Sequence, residues 1–189
     1  MKIYRAIKTN RFSQGFDCLE GMKKFYADLG MTNHGGYDWA ARIGEPVYWD
    51  CDLEGTILNT EIDYMGGLGI NIITEENGII LKHRFWHLSG FFISAGQKVK
   101  TGDAIGFAGN TGASTGPHLH RDAKRMLIKE NGNYDIVDWN NGTFGTIRLD
   151  EFMEDKFVLD MVGRPRIMET LRILIIAFIQ KMIGQRSQT

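Results

Sequence analysis

The chain has 189 residues, of which 22 are lysine or arginine and 23 are aspartate or glutamate, so its formal net charge is −1. This balance argues against a protein that binds nucleic acid through bulk charge, because neutralising many phosphates requires an excess of basic residues. The length fits one domain with an appendage, since a domain takes roughly 150 residues. A composition of 43% apolar and 24% charged residues is ordinary for a globular protein and excludes a disordered or collagen-like chain.

The beginning of the chain predicts one short helix. Residues 16–29 carry apolar side chains at helical spacing, and Gly30 follows where a C-terminal cap would lie. Residues 1–16 contain no apolar run of about 7 to 15 residues, which a secretory signal would need. The two cysteines, Cys18 and Cys51, form no CxxC pair, so reduced thiols are expected.

The middle of the chain predicts an antiparallel β unit. Fifteen of the 23 glycines fall between His34 and Gly116, and they separate short runs of β-branched and aromatic residues at 46–49, 70–74, 79–86 and 91–93. Residues 131–141 are polar and rich in turn formers. We therefore predict a domain over residues 1–130 with its core at 31–125, a connecting segment over 131–160 and a helical appendage over 161–189.

The appendage contains an apolar helical stripe between Arg166 and Gly184. Charged residues interrupt this stripe too often for a membrane span of about 20 apolar residues. Between residues 160 and 189 there are five basic and two acidic side chains, a net charge of +3. Docking on the body of the protein, self-association and contact with an anionic membrane surface are the open alternatives for Arg166–Gly184.

Two of the five histidines form an HxH motif, His118 and His120. Successive side chains of a strand point to opposite faces, so both imidazoles would share one face while Leu119 points into the core. Two imidazoles on one face can bind one metal ion together, or one can bind the ion while the other transfers protons.

His34 and Asp38 lie in the sequence HGGYD, in which Gly35 and Gly36 disfavour a helix and predict a tight turn at the start of a strand. Such a turn can bring the imidazole and the carboxylate to one ion. With one histidine of the HxH motif they would supply three ligands, the number that a catalytic zinc usually takes from the protein. An ordinary surface ion pair is the alternative.

His87 ends an alternating run in which His83, Phe85 and His87 are predicted to share one face. Both a structural and a catalytic role are open for His87. His83 and His87 would lie roughly 13 Å apart in a strand at about 3.3 Å per residue. Because this distance is too long for one ion, His83 is not expected to be a ligand.

Together these features resemble the lysostaphin-like (LytM-type) peptidoglycan metallopeptidases. The resemblance covers roughly residues 13–124 and follows the order of that family: HxGxD at 34–38, Pro-Val at 46–47, WHL at 86–88, and SAGQKVKTGDAIGFAGNTGASTGPHLH at 94–120. The last run is the most specific part.

The resemblance implies a mainly β fold, with a compact antiparallel metallopeptidase core and a narrow groove that holds zinc. It places the zinc ligands at His34, Asp38 and His120 and the two catalytic histidines at His87 and His118. His118 would carry a proton from water to the leaving amine and His87 would donate a hydrogen bond to the oxyanion, and an exchange of these roles between the two histidines is the alternative. The implied reaction is zinc-dependent hydrolysis of a peptide bond in the cross-links or stem peptides of peptidoglycan.

The chain departs from the family pattern in two places. Arg121 and Asp122 follow the HxH motif, where many members have an apolar residue and then Glu or Gln. Many members also carry a tyrosine shortly before HxGxD that stabilises the transition state, and the spacing of Tyr26 does not by itself assign it this role.

Two other functions are weighed against hydrolysis. A catalytically inactive member of the family could activate other wall hydrolases by contact, and residues 95–103 alone resemble the turn of lipoyl- and biotinyl-carrier domains. For an active wall hydrolase without a secretory signal, we expect a phage-encoded protein made in the cytoplasm and released at lysis or carried on a virion.

Overall fold

The computed structural model describes residues 1–162. The predicted helix at Arg166–Gly184, with its predicted membrane or self-association role, lies outside these residues. Within the described part, no helix is both long enough and apolar enough to cross a membrane.

Short strands dominate the described residues, which confirms the prediction of a mainly β fold. Residues 1–162 contain two helices, α1 (Lys23–Asp28) and α2 (Val158–Val162), and single 3₁₀ turns at Glu20–Met22 and Asp150–Phe152. In chain order the strands are β1 (Ile3–Arg5), β2 (Phe12–Gln14), β3 (Tyr37–Ala40), β4 (Pro46–Tyr48), β5 (Gly55–Asp63), β6 (Gly67–Glu76), β7 (Ile79–Trp86), β8 (Leu88–Phe91), β9 (Lys98–Val99), β10 (Ala104–Ala108), β11 (His118–Ile128), β12 (Tyr134–Ile136) and β13 (Met153–Phe157).

The main sheet has the order β2-β3-β11-β7-β6-β5-β9, with β12 paired to β11 beside this path, and its neighbouring strands are antiparallel. A second sheet has the order β4-β10-β8. The core contains side chains from both sheets, among them Val47, Ile105, Ile72 and Phe85, all of which are almost fully buried. Excluding these apolar surfaces from water stabilises the fold and fixes the outer face of the main sheet.

The N-terminal helix is shorter than the predicted span of residues 16–29. The residues before it are held in other ways, since Glu20–Met22 form a 3₁₀ turn and Asp17 is paired with Arg148. The predicted cap at Gly30 is present: its φ is +76°, Gly30 N–H donates to Ala27, and Met31 N–H donates to Tyr26. This pattern is a Schellman motif, which ends a helix at a glycine.

The segment after β11 packs on the body through its strands. β12 forms a hairpin with β11, and β13 pairs in parallel with β1 from the start of the chain. Leu149 and Val158 are fully buried. The predicted division of the chain at residues 130 and 160 stays a prediction.

Candidate metal centre and catalytic cleft

The pairing of β3 with β11 brings together the three predicted metal ligands. Asp38 and His120 are directly opposite in the antiparallel register, so their side chains share the outer face of the sheet. His34 lies in the loop just before β3. Gly36 in this loop allows the close approach, because a Cβ atom there would lie 2.5 Å from His120 Nε2.

The ligand atoms converge on one point. His34 Nε2 lies 3.0 Å from His120 Nδ1 and 3.3 Å from Asp38 Oδ2, and His120 Nδ1 lies 2.9 Å from Asp38 Oδ1. One ligand atom from each residue lies within 4.8 Å of the others. Both nitrogen atoms and the carboxylate therefore face the same small space.

Outer contacts fix which nitrogen of each ring faces this space. His34 Nδ1–H donates to the Gly15 carbonyl at 2.6 Å, and His120 Nε2–H donates to Asp122 Oδ2 at 3.2 Å. The lone pairs on His34 Nε2 and His120 Nδ1 are then directed at Asp38. A hydrogen bond from the second ring nitrogen is how proteins usually orient a metal-binding histidine.

Asp122 is the outer partner that the sequence left in doubt. It lies two residues after His120 on the same face, and Arg84 Nε donates to its Oδ1 at 2.7 Å. Burial raises the pKa of Asp122, but the charge of Arg84 and the hydrogen bond from His120 outweigh this effect and hold its pKa well below the ordinary value. Asp122 therefore stays ionised and can orient His120.

Arg121 points to the opposite face of β11 and into the core. It is fully buried, and its Nε and one terminal nitrogen donate to the two oxygens of Asp50 at 2.9 and 3.1 Å. Arg121 also lies 2.8 Å from His83 Nδ1. Burial and the charge of Arg121 lower the pKa of His83, so His83 is neutral and belongs to this internal network rather than to the cleft.

His118 and His87 lie beside the three converging ligands. Their ring centroids are 4.4 Å apart, and His118 Nε2 lies 3.8 Å from Asp38 Oδ1. His118 Nδ1–H donates to the Gly116 carbonyl at 2.8 Å, and His87 Nδ1–H donates to the Thr111 carbonyl at 2.7 Å. In the neutral form of each ring, Nε2 therefore carries no proton.

The predicted face of His87 was wrong. His87 lies between β7 and β8 with a φ of +60°, and this left-handed residue ends the alternation that would have placed its ring in the core beside Phe85. Burial is the main cause that lowers the pKa of His87, to about 4. His87 is therefore neutral at neutral pH.

Tyr26 is a site residue that sequence spacing did not assign. Its ring centroid lies 5.6 Å from that of His34, and Gln14 Nε2 donates to its hydroxyl oxygen at 2.9 Å. The Tyr26 O–H therefore remains available as a donor. Burial and the charge of Asp38 raise its pKa to about 12, so the hydroxyl keeps its proton at neutral pH.

These side chains line a cleft of about 420 Å³. Its lining also contains Met65, Trp86, residues 113–115, Leu29, Met31, Trp139 and Phe144. The residue set fits zinc, because two imidazole nitrogens and one carboxylate are typical zinc ligands and a catalytic zinc keeps a further position open.

Comparison with known proteins agrees with this geometry. Residues 32–134 match peptidase family M23, a span that contains both halves of the ligand set. The chain is 41% identical over 90 residues to the peptidoglycan DD-endopeptidase ShyA of Vibrio cholerae, covering 48% of this chain and 20% of that protein. The chain spans less than a third of the length of the curated relatives it matches.

Solved structures share the fold. The catalytic domain of lysostaphin from Staphylococcus simulans superimposes with a TM-score of 0.55 and 26% identity, covering 75% of this chain and 90% of that one. A zinc-containing peptidase from Vibrio cholerae gives a TM-score of 0.53 and 26% identity, covering 72% of this chain and 39% of that one. The family match covers more than half of the chain and includes every predicted ligand, so this protein belongs to peptidase family M23.

Proposed function

We propose that this protein is a zinc-dependent endopeptidase that hydrolyses peptide bonds in bacterial cell-wall peptidoglycan. The observation that carries this proposal is the convergence of His34 Nε2, Asp38 and His120 Nδ1 beside two further histidines in a cleft. The activity of ShyA, a family relative, supports the choice of substrate.

His34, Asp38 and His120 would hold the ion, with Gly15 and Asp122 keeping the two rings in the required orientation. Zinc bound there supplies Lewis acidity, which makes a water molecule acidic enough to lose a proton near neutral pH. The carboxylate of Asp38 partly balances the charge of the ion.

His118 is the proposed general base. Its Nε2 is unprotonated in the neutral ring and lies 3.8 Å from Asp38 Oδ1. It would accept the proton of the attacking water and then donate it to the leaving amine. Such positioned proton transfer contributes about 100- to 10,000-fold to a rate.

His87 and Tyr26 differ in what they can offer to the oxyanion. A neutral His87 with its proton on Nδ1 has a lone pair at Nε2, so it can donate there only after it gains a proton. Tyr26 has a free O–H donor at neutral pH. We assign the stabilisation of the oxyanion to Tyr26, and to His87 a proton exchange with His118.

The proposal is tested by separating zinc binding from turnover. We expect His34→Ala and Asp38→Ala to lose zinc and activity together, because each removes a ligand. His118→Ala should keep zinc while the turnover number falls by about 100-fold or more. Metal analysis and mass spectrometry of fragments released from peptidoglycan measure the two quantities.

Two results would contradict these assignments. Loss of zinc from His118→Ala would show that His118, and not His120, is the metal ligand of the HxH motif. A wild-type protein that binds no zinc and releases no fragments would favour the inactive binding module. Origin from a phage and release at lysis stay predictions.

A further inference from the structure

A basic side chain of the cleft has no role in the proposed reaction. Lys124 lies on β11 on the same face as His120 and Asp122, and it lines the cleft together with Arg84 and Trp139. The residue is only 3% exposed. Lys124 is two residues after Asp122 and four after His120 on the strand, so its side chain lies on the side of the sheet that holds the metal ligands.

Lys124 lacks a close anionic partner among residues 1–162. Its Nζ lies 4.6 Å from the centroid of the Trp139 ring, and the carboxylates that act on it, Asp122 and Glu61, do so only at a distance. Burial, together with the charge of Arg84, lowers its pKa to about 8. A buried cation without an ion partner is costly, and a buried cation is usually paired.

The neighbouring strand adds to the positive charge. Lys82 is directly opposite Lys124 in the register of β7 and β11, and Arg84 is opposite Asp122. Lys82 lies outside the cleft lining, and we call Arg84 and Lys124, which line the cleft, the basic ledge. Its only directly bonded carboxylate within the described residues is Asp122, which is already shared by Arg84 and His120.

The distance of Lys124 from the metal ligands indicates which part of a bound peptide it can contact. Lys124 is four residues along β11 from His120, or about 13 Å at about 3.3 Å per residue. An extended peptide rises by the same amount per residue, so a group bound by Lys124 lies up to about four residues from the scissile bond. Trp139, over which the Lys124 Nζ lies, and Phe144 also line the cleft and offer apolar surface to the aliphatic part of such a residue.

We propose that Lys124 binds a free carboxylate of the substrate peptide and thereby makes the enzyme select peptides that carry this group. The inference rests on the proposed function for the reaction, but the binding step can be measured without hydrolysis. The carboxylate belongs either to a side chain or to the C-terminus of the peptide.

The test uses three labelled peptides of one sequence with the zinc-loaded full chain. In the first, every carboxyl group near the scissile bond is a carboxamide; in the second only the side-chain carboxylate is free; in the third only the C-terminal carboxylate is free. The ratio of kcat/KM to that of the first peptide measures the preference. Fluorescence anisotropy with uncleavable N-methylated versions gives the corresponding ratio of Kd values.

We expect the wild-type protein to prefer one of the two carboxylate peptides by about tenfold or more in both ratios, since hydrogen bonds to charged groups discriminate by this amount. The preferred peptide identifies the source. Lys124→Met should abolish the preference and Lys124→Arg should retain most of it. Lys82→Met is the matched control: it removes the same charge at the opposite position, outside the cleft lining, and should keep the preference.

Each outcome is decisive. Equal Kd values for all three peptides, or a preference that survives Lys124→Met, would overturn the inference even if all peptides are cleaved. A carboxylate preference in binding that depends on Lys124, without any cleavage, would retain the inference and refute the proposed function. Loss of the preference in Lys82→Met to the same extent would show a diffuse charge effect and overturn the role of Lys124.

Discussion

Asp122 shows how one carboxylate can set the properties of a ligand. It accepts from His120 and from Arg84, and it is 1% exposed. Its contact with Arg84 keeps it charged, and its contact with His120 keeps the ring in the orientation that leaves Nδ1 for the ion. Outer partners of this kind strengthen metal binding without touching the metal.

We therefore expect Asp122→Asn to bind zinc about 10- to 100-fold more weakly than the wild type. Asparagine keeps the shape and one acceptor oxygen but loses the charge. Zinc affinity measured by competition with a chelator checks this, and Asp155→Asn, at a side chain that is 98% exposed, is the control. Unchanged zinc affinity would show that Asp122 does not strengthen metal binding.

Tyr26→Phe should lower kcat by about 100-fold while zinc content and the unfolding midpoint stay unchanged. The variant removes the hydroxyl, and with it both the O–H donor and the oxygen that accepts from Gln14. Because the interaction forms in the transition state, kcat and kcat/KM should fall together. Tyr64→Phe, at a residue that is 86% exposed, is the control, and an unaltered kcat in Tyr26→Phe would rule out the donor role.

The direction of side chains within a single strand could be predicted from the sequence. The two-residue period of a strand placed His118 and His120 on one face and Leu119 in the core, and Leu119 is fully buried. The same period gave the wrong face for His87, because its positive φ reverses the direction of the side chain and nothing in the sequence around residue 87 indicates this conformation. Tyr26 could not be assigned because its position depends on how α1 packs beside the metal ligands.

At the scale of the elements, β11 separates two kinds of chemistry on its two faces. The outer face carries the ligands and the basic ledge, whereas the inner face carries Arg121 and its ion pair with Asp50. Arg121 and Asp50 are 71 residues apart in the chain. Such a long-range pair cannot be read from local patterns, so the sequence identified Arg121 only as a departure from the family.

Arg121→Met should destabilise the fold by about 3–5 kcal/mol, because it leaves the buried carboxyl group of Asp50 without its partner. The double variant Asp50→Leu with Arg121→Met should recover much of this loss, since it removes both charges. Chemical denaturation of the zinc-loaded protein measures the free energy of unfolding. Arg125→Met, on an exposed residue of the same strand, is the control, and a small effect at Arg121 equal to that at Arg125 would contradict the argument.

At the scale of the whole molecule, the beginning of the chain is paired with the segment after residue 130. β1 pairs with β13, and Tyr37 accepts a hydrogen bond from the Leu149 N–H at 2.8 Å. Glycine spacing and turn residues predicted the β core well, but they carried no information about a two-stranded parallel pair between residues 3–5 and 153–157.

A chain shortened to residues 1–130 should unfold at a much lower temperature than one of residues 1–162. It loses the buried side chains of Leu149, Phe157 and Val158, each of which contributes about 1.5–3 kcal/mol when fully buried. This sum is comparable with the about 5–15 kcal/mol that stabilises a typical domain. Thermal unfolding monitored by circular dichroism checks it, and equal midpoints would support the predicted domain boundary at residue 130.

The contact between Lys124 and Trp139 has an optical consequence. Trp39, Trp49 and Trp86 are at most 6% exposed, whereas Trp139 is 49% exposed and lies on the cleft wall. Its indole emission should therefore be red-shifted relative to the other three and should respond when a peptide displaces water around the ring. The protein thus carries a native fluorophore at the cleft, through which occupancy can be followed in real time without any dye.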